Sequence, residues 1–443
     1  MANGYERRPE GRPGDGRRSP RPDGARRPEG RRPEGGSRRP EGRRPEGRRP
    51  EGRRPEERYS RDYDRRPRNS RRGEGRQKSK GGKIALFIVE ILVLAAMVFI
   101  LWSVLKTEKV GKVDIPIDDI IINEEVRERL EMTSDNPGSS DGSEASSSMT
   151  GYRNIALFGV DSREGALTKN TRSDTIIIAS VNEKTGEVKL CSVYRDTFLN
   201  LSNDQYNKCN AAYAKGGPKQ AINMLNMNLD MNITDFVTIG FDGLIDVIDA
   251  MGGVEIDVKD SEIVHLNNYQ ISMVGKTTDG ETFTANAGTD YTPVTKSGLQ
   301  TLNGLQATAY CRIRYVGSDF QRAERQRAVI KALLEKAKAN PSKLPSVAES
   351  LFDEVYTSLD LSEIITLLGD IAKYNIVDEA GFPQSDMVGV GNIGAKGSCV
   401  VPLDLYDNVK WLHGFLFGDT AYEPSSAVKS YSEKIKAETA SHL

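Results

Sequence analysis

Apolar positions are distributed very unevenly along this chain. Residues 1–83 contain few of them, residues 84–105 form one apolar run, and the later sequence carries short runs separated by polar turns. The long run reads IALFIVEILVLAAMVFILWSVL and contains a single charge, Glu90. At about 1.5 Å per residue, a helix of this length crosses a bilayer core of about 30 Å. We therefore predict a transmembrane helix over residues 84–105.

The segment before this helix is a repeat. Residues 1–58 repeat Arg-Arg-Pro-Glu-Gly, a unit with no apolar residue to bury and a proline that blocks helix and sheet interiors. Residues 1–83 hold 29 Lys and Arg against 14 Asp and Glu, a net charge of +15, and since the whole chain carries −1, the remainder carries −16. We predict a disordered basic tail that binds either nucleic-acid phosphates or anionic lipid headgroups, and the adjoining apolar run favours the lipid.

The charge pattern also predicts the topology. Lys and Arg crowd the N-terminal side of the apolar run, so we expect the tail in the cytoplasm and everything after Leu105 outside the cell membrane, with a single pass. A cleaved signal peptide is disfavoured because the polar segment before the run is far too long. Residues 106–150 predict an extracytoplasmic stalk and a linker rich in Ser, Gly and Asp. A folded domain over residues 151–420 and a C-terminal tail over 421–443 complete the chain.

The start of this domain predicts three strands. Residues 153–160, 175–181 and 187–194 are apolar runs, and the short turn NEKTG makes the last two an antiparallel hairpin. If the first two strands are also antiparallel, charged residues gather at one edge of the sheet. The charged residues lie at three strand ends and are Asp161 and Arg163, Arg172 and Asp174, and Arg195 and Asp196. Each alone could be an ordinary surface charge, but together the carboxylates suit Mg²⁺ and the arginines suit a phosphate or pyrophosphate.

A later stretch, residues 310–327, adds five arginines. Read as a strand running into a helix, it places Arg312 and Arg314 on one face of the strand. On the first turns of the helix, Arg322, Arg325 and Gln326 share a broad face, where backbone N–H groups also favour anions. The two sets of donor side chains flank one loop, and together they predict an anion-binding site there.

Other kinds of site have little support in the sequence. The four cysteines could form two disulfides, but Cys191 and Cys311 lie in apolar runs, where a free cysteine is a small core residue. The chain has no Cys-x-x-Cys pair and its three histidines are scattered, which disfavours a zinc site and a Ser-His-Asp triad. The dinucleotide-like pattern at residues 389–394 is followed by a strand pattern rather than a helix, so we reject it.

At this point the chain resembles the LytR-CpsA-Psr family of cell-wall glycopolymer ligases. The matching blocks are NIALFGVDSR, TRSDTIII, VKLCSVYRDTFLNL, YNKCNAAYAKGG, FVTIGFDGLIDVIDAMGGVEIDV, GLQTLNGLQATAYCRIRY and SDFQRAERQ. The resemblance implies an α/β fold in three layers, with a mixed central sheet between helices and a long apolar pocket for a polyprenyl chain. The chain departs from the family pattern at Cys191, Cys209, Cys311 and Tyr194. These differences affect the packing of the domain more than the chemistry of its site.

The resemblance also implies roles for single residues. It implies that Asp161 and Asp174 bind Mg²⁺, that Arg195 takes part in catalysis, and that Asp319 positions or deprotonates the acceptor. The residues that it implies for the lipid pyrophosphate are Arg172, Arg195, Lys208, Arg312, Arg314, Arg322 and Gln326.

The expected activity is therefore phosphoryl transfer in cell-wall biogenesis. A sugar hydroxyl of peptidoglycan attacks the phosphorus on the glycan side of a polyprenyl-pyrophosphate-linked polymer such as teichoic acid or capsule, and polyprenyl phosphate departs. We expect no nucleic acid at the catalytic domain. Two alternatives stay open: a regulator of the transcriptional attenuator type, and a protein that only holds or hydrolyses the lipid-linked donor. The sequence leaves open which polymer and acceptor hydroxyl are used, and what the tail binds.

Overall fold

A computed structural model of the chain describes residues 111–112, 115–134, 148–161, 167–168, 170–277, 282–344, 347–348 and 355–443. The predicted tail and transmembrane segment, residues 1–83 and 84–105, lie outside these residues. Among the described residues, no helix is long and apolar enough to cross a membrane.

A mixed sheet of seven strands forms the centre of the fold. Its strands, in spatial order, are β1 (Gly111–Lys112), β12 (Val355–Thr357), β7 (Asp235–Ile239), β2 (Tyr152–Val160), β3 (Ser173–Asn182), β4 (Glu187–Val193) and β13 (Asn375–Phe382). The pairs β1–β12, β7–β2 and β4–β13 are parallel, and the other three neighbouring pairs are antiparallel. The predicted antiparallel order of the first three strands of the domain, β2, β3 and β4, is thus confirmed.

The apolar runs of these strands explain why they occupy the middle of the sheet. Along β3, Ile176 and Ile178 enter one hydrophobic cluster, whereas Ile177 and Ala179 enter another on the opposite face. A strand buried on both faces reads as a continuous apolar run, which is the pattern of this segment. The turn between β3 and β4 has Gly186 at a φ of +76°, where a Cβ atom would collide with the carbonyl of Lys373.

Helices cover both faces of the sheet. They are α1 (Glu124–Ser134), α2 (Asn210–Leu229), α3 (Phe241–Ala250), α4 (Asp260–Val274), α5 (Gly304–Arg312), α6 (Asp319–Ala339), α7 (Leu361–Gly369), α8 (Leu405–Phe417) and α9 (Ser426–Thr439). Side chains of α2, α8 and α9 form the largest hydrophobic cluster with one face of the sheet, and α6 packs on the other. This three-layer arrangement confirms the predicted mixed α/β fold.

Short strand pairs lie outside the central sheet. They are β5 (Phe198–Asn200) with β6 (Tyr206–Lys208), β8 (Val254–Val258) with β11 (Gly298–Leu302), β9 (Lys276–Thr277) with β10 (Phe283–Thr284), and β14 (Val388–Asn392) with β15 (Ser398–Pro402). The last pair is an antiparallel hairpin over the dinucleotide-like pattern, so the rejection of that pattern is confirmed. The four cysteines are free and buried, which agrees with the prediction for Cys191 and Cys311 from their apolar neighbours.

The strand predicted for residues 310–314 is wrong. Arg312 is the last residue of helix α5, and Arg314 follows in a loop. The helix forms because Asn303 caps it: its side chain accepts a hydrogen bond from the backbone N–H of Gln306, and the Gln306 side-chain oxygen accepts one from the backbone N–H of Asn303. This capping box outweighs the β-branched and aromatic residues that suggested a strand.

The packed domain extends beyond residues 151–420. Asn123, in the segment assigned to a stalk, donates hydrogen bonds to the carbonyl of Met227 at 2.9 Å and to Asp230 at 2.6 Å. In the segment assigned to a C-terminal tail, Val428 and Ile435 of α9 are fully buried in the main cluster. Both segments therefore contribute to the same core as the central sheet.

His413 of α8 should make the stability of this core depend on pH. Burial lowers the pKa of His413 to about 4, its Nε2 lies 3.0 Å from the carbonyl oxygen of Leu229, and its ring stacks on Tyr422. Because unfolded histidine titrates near pH 6.5, the unfolded state gains a proton first as the pH falls. Stability should therefore be lost between about pH 6.5 and 4, by on the order of 3 kcal/mol.

Urea unfolding of wild type and His413→Gln at a series of pH values measures this effect. The stability difference between the two should shrink as the pH falls through that window, whereas His442→Gln, at an exposed site, should track wild type throughout. A His413→Gln difference that stays constant from pH 7 to 4 would contradict the assignment.

Candidate functional site

Three arginines bind one carboxylate at the end of an interior strand of the sheet. Asp174 lies at the start of β3, and its Oδ1 accepts a hydrogen bond from Arg195 at 2.6 Å. Its Oδ2 accepts from Arg322 at 3.1 Å and from Arg314 at 3.3 Å. Arg195 follows β4, Arg314 follows α5, and Arg322 stands in the first turn of α6. We call these four residues the arginine site.

The electrostatics of this site favour an anionic ligand. Burial raises the pKa of Asp174, but the charges of Arg322 and Arg195 outweigh it, so the pKa of that carboxyl lies below its ordinary value. The pKa of Arg322 is lowered, first by burial and then by the neighbouring guanidinium groups, despite the attraction of Asp174. The single negative charge of Asp174 does not balance the three positive charges of the arginines around it.

Two donors of the site are buried and have no hydrogen-bond partner among the described residues. They are the Nε atoms of Arg195 and Arg322. The Arg195 Nε lies 3.8 Å from Asp196 and 3.9 Å from Asp319, which is too far for a hydrogen bond. Buried donors without partners are uncommon, and a ligand with several oxygen acceptors would satisfy them.

Helix α6 begins at the arginine site. Ser318 caps this helix, and its first residue, Asp319, has its carboxylate 4.0 Å from Arg322 Nη1. Gln326 lies one turn further along, is 8% exposed and donates to the carbonyl of Cys311 at 3.5 Å. The predicted residues Asp319, Arg322 and Gln326 are therefore brought together on this helix.

Arg312 joins the site from the end of α5. Its Nη2 lies 3.9 Å from the carboxylate of Asp161, the residue that follows β2. Its guanidinium group lies 4.5 Å from the centre of the Phe241 ring and 5.5 Å from that of Tyr269. The aromatic rings hold the cation by cation–π contact and fix its position beside Asp161.

A cavity of about 380 Å³ opens beside these residues. It lies between the sheet and helices α3, α5 and α6, and its charged and amide lining residues are Asp174, Arg312, Arg322 and Gln326. The rest of the wall is mainly aliphatic and includes Leu157, Ile177, Val237, Leu244, Val329 and Leu333. An apolar cavity with a cationic end suits an amphiphile that has a hydrocarbon chain and an anionic head.

The structure separates two predicted pyrophosphate residues from the others. Arg172 and Lys208 line a second cleft of about 280 Å³, together with Asn207, Asn210, Ala211, Ala395 and Lys396. We call this the basic cleft. Lys208 Nζ lies 3.6 Å from Asp196, which in turn lies beside Arg195, so the basic cleft adjoins the arginine site through Asp196.

The side chain of Arg325 does not point to the arginine site, although it was predicted to share a helix face with Arg322 and Gln326. Its Nε donates to Glu262 at 2.7 Å, and its Nη atoms donate to the carbonyls of Ile313 and Val316 at 3.0 and 2.7 Å. Arg325 therefore holds the loop that carries Arg314. Arg163 lies outside the described residues. Sequence reasoning missed Lys396, which no motif connects with the other cleft residues.

The two residues predicted to hold Mg²⁺ follow or begin neighbouring strands of the sheet. Asp161 and Asp174 come to the same sheet edge because Gly159 of β2 pairs with Thr175 of β3. Within the described ranges, no three His, Cys, Asp or Glu side chains form a group that could hold a metal. Mg²⁺ commonly takes one or two carboxylates, with water and phosphate oxygens completing its shell. Asp161 and Asp174 supply two such carboxylates at one end of the sheet.

The model of the LytR_cpsA_psr family matches residues 122–397. Biofilm regulatory protein A of Streptococcus mutans is 29% identical over 317 residues, which cover 62% of this chain and 72% of that protein. The polyisoprenyl-teichoic acid–peptidoglycan teichoic acid transferase TagT of Bacillus subtilis is 28% identical over 229 residues. That match covers 51% of this chain and 65% of TagT, slightly less than two thirds of its length.

The LytR-CPS2A-psr family protein YwtF (TagT) with bound octaprenyl pyrophosphate lipid is 21% identical, with a TM-score of 0.44, and the match covers 62% of this chain and 93% of that one. The family match extends over more than half of the sequence and includes every residue of the arginine site. The chain therefore belongs to the LytR-CpsA-Psr family.

Proposed function

We propose that this protein transfers a glycopolymer from a polyprenyl-pyrophosphate carrier to a hydroxyl group of peptidoglycan. The observation that carries the proposal is the arginine site at the cationic end of an apolar cavity of about 380 Å³. A polyprenyl pyrophosphate is an amphiphile of this kind, with its hydrocarbon chain in the cavity and its phosphates at the arginines. The name of the related TagT, a teichoic acid transferase that uses a polyisoprenyl donor and peptidoglycan, supports the same activity.

The guanidinium groups now bound to Asp174 can turn to the pyrophosphate. Arg195 and Arg322 each have a buried Nε without a hydrogen-bond partner in the described part of the chain, and planar guanidinium groups bind phosphate oxygens in pairs. In the reaction, the acceptor oxygen forms a bond to the phosphorus on the glycan side. The bond from that phosphorus to the bridging oxygen breaks, and polyprenyl phosphate leaves with the electron pair.

The same arginines stabilise the negative charge of the leaving phosphate. The proton of the acceptor hydroxyl passes to a carboxylate, and we assign this role to Asp319, which begins α6 and lies within 4.0 Å of both Arg195 and Arg322. Asp161 and Asp174 would hold Mg²⁺, which when bound would neutralise phosphate charge and polarise the phosphorus. The energy of the pyrophosphate bond drives transfer without a nucleotide.

The proposal includes the predicted topology. A helix over residues 84–105 would hold the domain at the outer face of the cell membrane, where a lipid-linked donor is confined, and so raise the effective concentration of that donor. The basic tail would remain in the cytoplasm.

A bulky residue in the cavity wall should weaken donor binding. Leu333 of α6 lines the apolar cavity, and Leu333→Trp should fill part of its volume, so we expect at least tenfold weaker binding of a long-chain polyprenyl pyrophosphate by calorimetry. Isoprenyl pyrophosphates of two units occupy little of the cavity, so they should bind to Leu333→Trp nearly as tightly as to wild type. Leu299→Trp introduces the same ring at a site that is 73% exposed and outside the cavity, and should change neither affinity. Equal affinity of wild type and Leu333→Trp for the long chain would count against the cavity as the lipid site.

A further inference from the structure

The basic cleft has the features of a second binding site. Three cationic side chains line it, from Arg172 before β3, Lys208 on β6 and Lys396 in the turn between β14 and β15. Lys208 and Lys396 each have one carboxylate partner, Asp196 at 3.6 Å and Glu438 at 3.3 Å. The cleft volume of about 280 Å³ has room for sugar-sized groups, and the excess of cations over carboxylates favours an acidic ligand.

Asn210 gives independent evidence of a ligand. The residue lines the basic cleft, is only 1% exposed, and its Oδ1 has no hydrogen-bond partner among the described residues. Buried amide oxygens are normally satisfied, and leaving one without a donor costs free energy. A ligand that presents a hydroxyl or an amide N–H to Asn210 would satisfy it, so the ligand carries neutral donors as well as negative charge.

The basic cleft approaches the arginine site from the side opposite to the apolar cavity. The cleft is formed at the start of α2, which packs on the sheet face that carries Ile176 and Ile178. The cavity lies against the face that carries Leu157 and Ile177. Contacts connect the two: Asp174 in the cavity wall accepts a hydrogen bond from Arg195 at 2.6 Å, and Asp196, next to Arg195, lies 3.6 Å from Lys208 in the cleft.

We propose that the basic cleft is the acceptor subsite, and that it binds an acidic glycan strand with N-acetyl groups and peptide carboxylates. This inference rests on the proposed function. In phosphoryl transfer the attacking and leaving oxygens lie roughly in line, so a leaving lipid phosphate on the cavity side requires the acceptor hydroxyl to arrive from the other side. The peptide carboxylates pair with Lys208, Lys396 and Arg172, and an N-acetyl N–H donates to Asn210. Asp196, between Lys208 and Arg195, positions the acceptor hydroxyl.

Direct binding measurements test the subsite. The full-length chain in detergent is titrated with a soluble peptidoglycan oligomer that retains its stem peptides, without donor, and Kd is measured by calorimetry. Lys396→Ala and Asn210→Ala should each raise this Kd about tenfold. In transfer assays the same variants should raise KM for the oligomer with little change in kcat, and their affinity for polyprenyl pyrophosphate should stay within twofold of wild type. Lys410→Ala, which removes a half-buried lysine paired with Glu423 at 2.6 Å, is the matched control and should bind the oligomer like wild type.

The outcomes separate this inference from the proposed function. If wild type does not bind the oligomer, or if both variants bind it as tightly as wild type, the acceptor subsite is refuted, whether or not transfer occurs. If a soluble glycerol phosphate oligomer binds with the same dependence on Lys396 and Asn210 and the peptidoglycan oligomer does not, the cleft belongs to the donor polymer and the inference is overturned. Loss of transfer alone, with the expected binding pattern, would remove the proposed function and leave the binding site.

Discussion

Replacing Asp174 with asparagine is expected to reduce the rate of glycopolymer transfer by about a thousandfold. The carboxylate binds Arg195, Arg314 and Arg322, and an amide would keep the shape but lose the charge that holds these cations together. The variant would also lose one of the two carboxylates proposed for Mg²⁺. Single-turnover transfer with enzyme in excess of donor measures the rate, and in wild type the rate should fall when EDTA removes the metal and recover with added Mg²⁺.

Asp235→Asn is the matched control for this prediction. Asp235 also forms an ion pair with an arginine, Arg153 at 2.8 Å, and its side chain is 19% exposed against 18% for Asp174. It lies on β7 outside the arginine site, so its replacement should leave the transfer rate within about threefold of wild type, allowing for the modest strength of one partly exposed pair. An Asp174→Asn enzyme with more than a tenth of the wild-type rate would contradict the role given to this carboxylate.

Arg325→Met is expected to lower the free energy of unfolding by about 3 to 5 kcal/mol. The side chains of Arg325 and Glu262 are 7% and 2% exposed, so the substitution leaves a buried carboxylate without its partner. It also removes the hydrogen bonds to the carbonyls of Ile313 and Val316 that hold the loop around Arg314. Urea unfolding measures the loss, and a lower transfer rate should accompany it because Arg314 is no longer held in place.

The double variant Arg325→Met with Glu262→Met makes this prediction specific. Removing both charges should recover most of the lost stability, because the uncompensated carboxylate is then gone. Lys338→Met, which breaks a surface pair with Glu335 on the same helix, should change stability by less than about 1 kcal/mol. If Arg325→Met loses no more stability than Lys338→Met, the buried pair does not hold the loop as described.

The central strands could be predicted from local pattern, and the gathering of charges followed from their order. Asp161, Asp174 and Arg195 stand at the ends of three strands, and two antiparallel connections bring them to one end of the sheet, as the order of the strands predicts. The local pattern was less reliable around Arg312. Thr308, Tyr310 and Ile313 favour a strand by composition, whereas the helix depends on a capping box whose first residue, Asn303, lies nine positions earlier.

The division of the predicted phosphate residues between two openings could not be predicted from spacing. Arg172 lies close to Asp174 in sequence, yet it lines the basic cleft with Lys208, and the cleft is completed by Lys396 from a distant turn. Long-range packing of the hairpin of β14 and β15 near the start of α2 decides this arrangement. The pairing of Arg325 with Glu262 likewise depends on how α4 packs, because a helical face alone does not indicate which of its arginines meet a buried carboxylate.

The most direct test of the proposed function is the mass of the product. The full-length chain in detergent is incubated with a polyprenyl-pyrophosphate-linked glycan, a peptidoglycan oligomer and Mg²⁺, and the products are resolved by mass spectrometry beside those of Asp174→Asn. The proposed function predicts a new species in which the glycan is joined to the oligomer through one phosphodiester, formed together with polyprenyl phosphate and absent with the variant. Release of polyprenyl phosphate and free glycan phosphate at the wild-type rate, with no linked product at any oligomer concentration, would contradict it and leave hydrolysis as the activity.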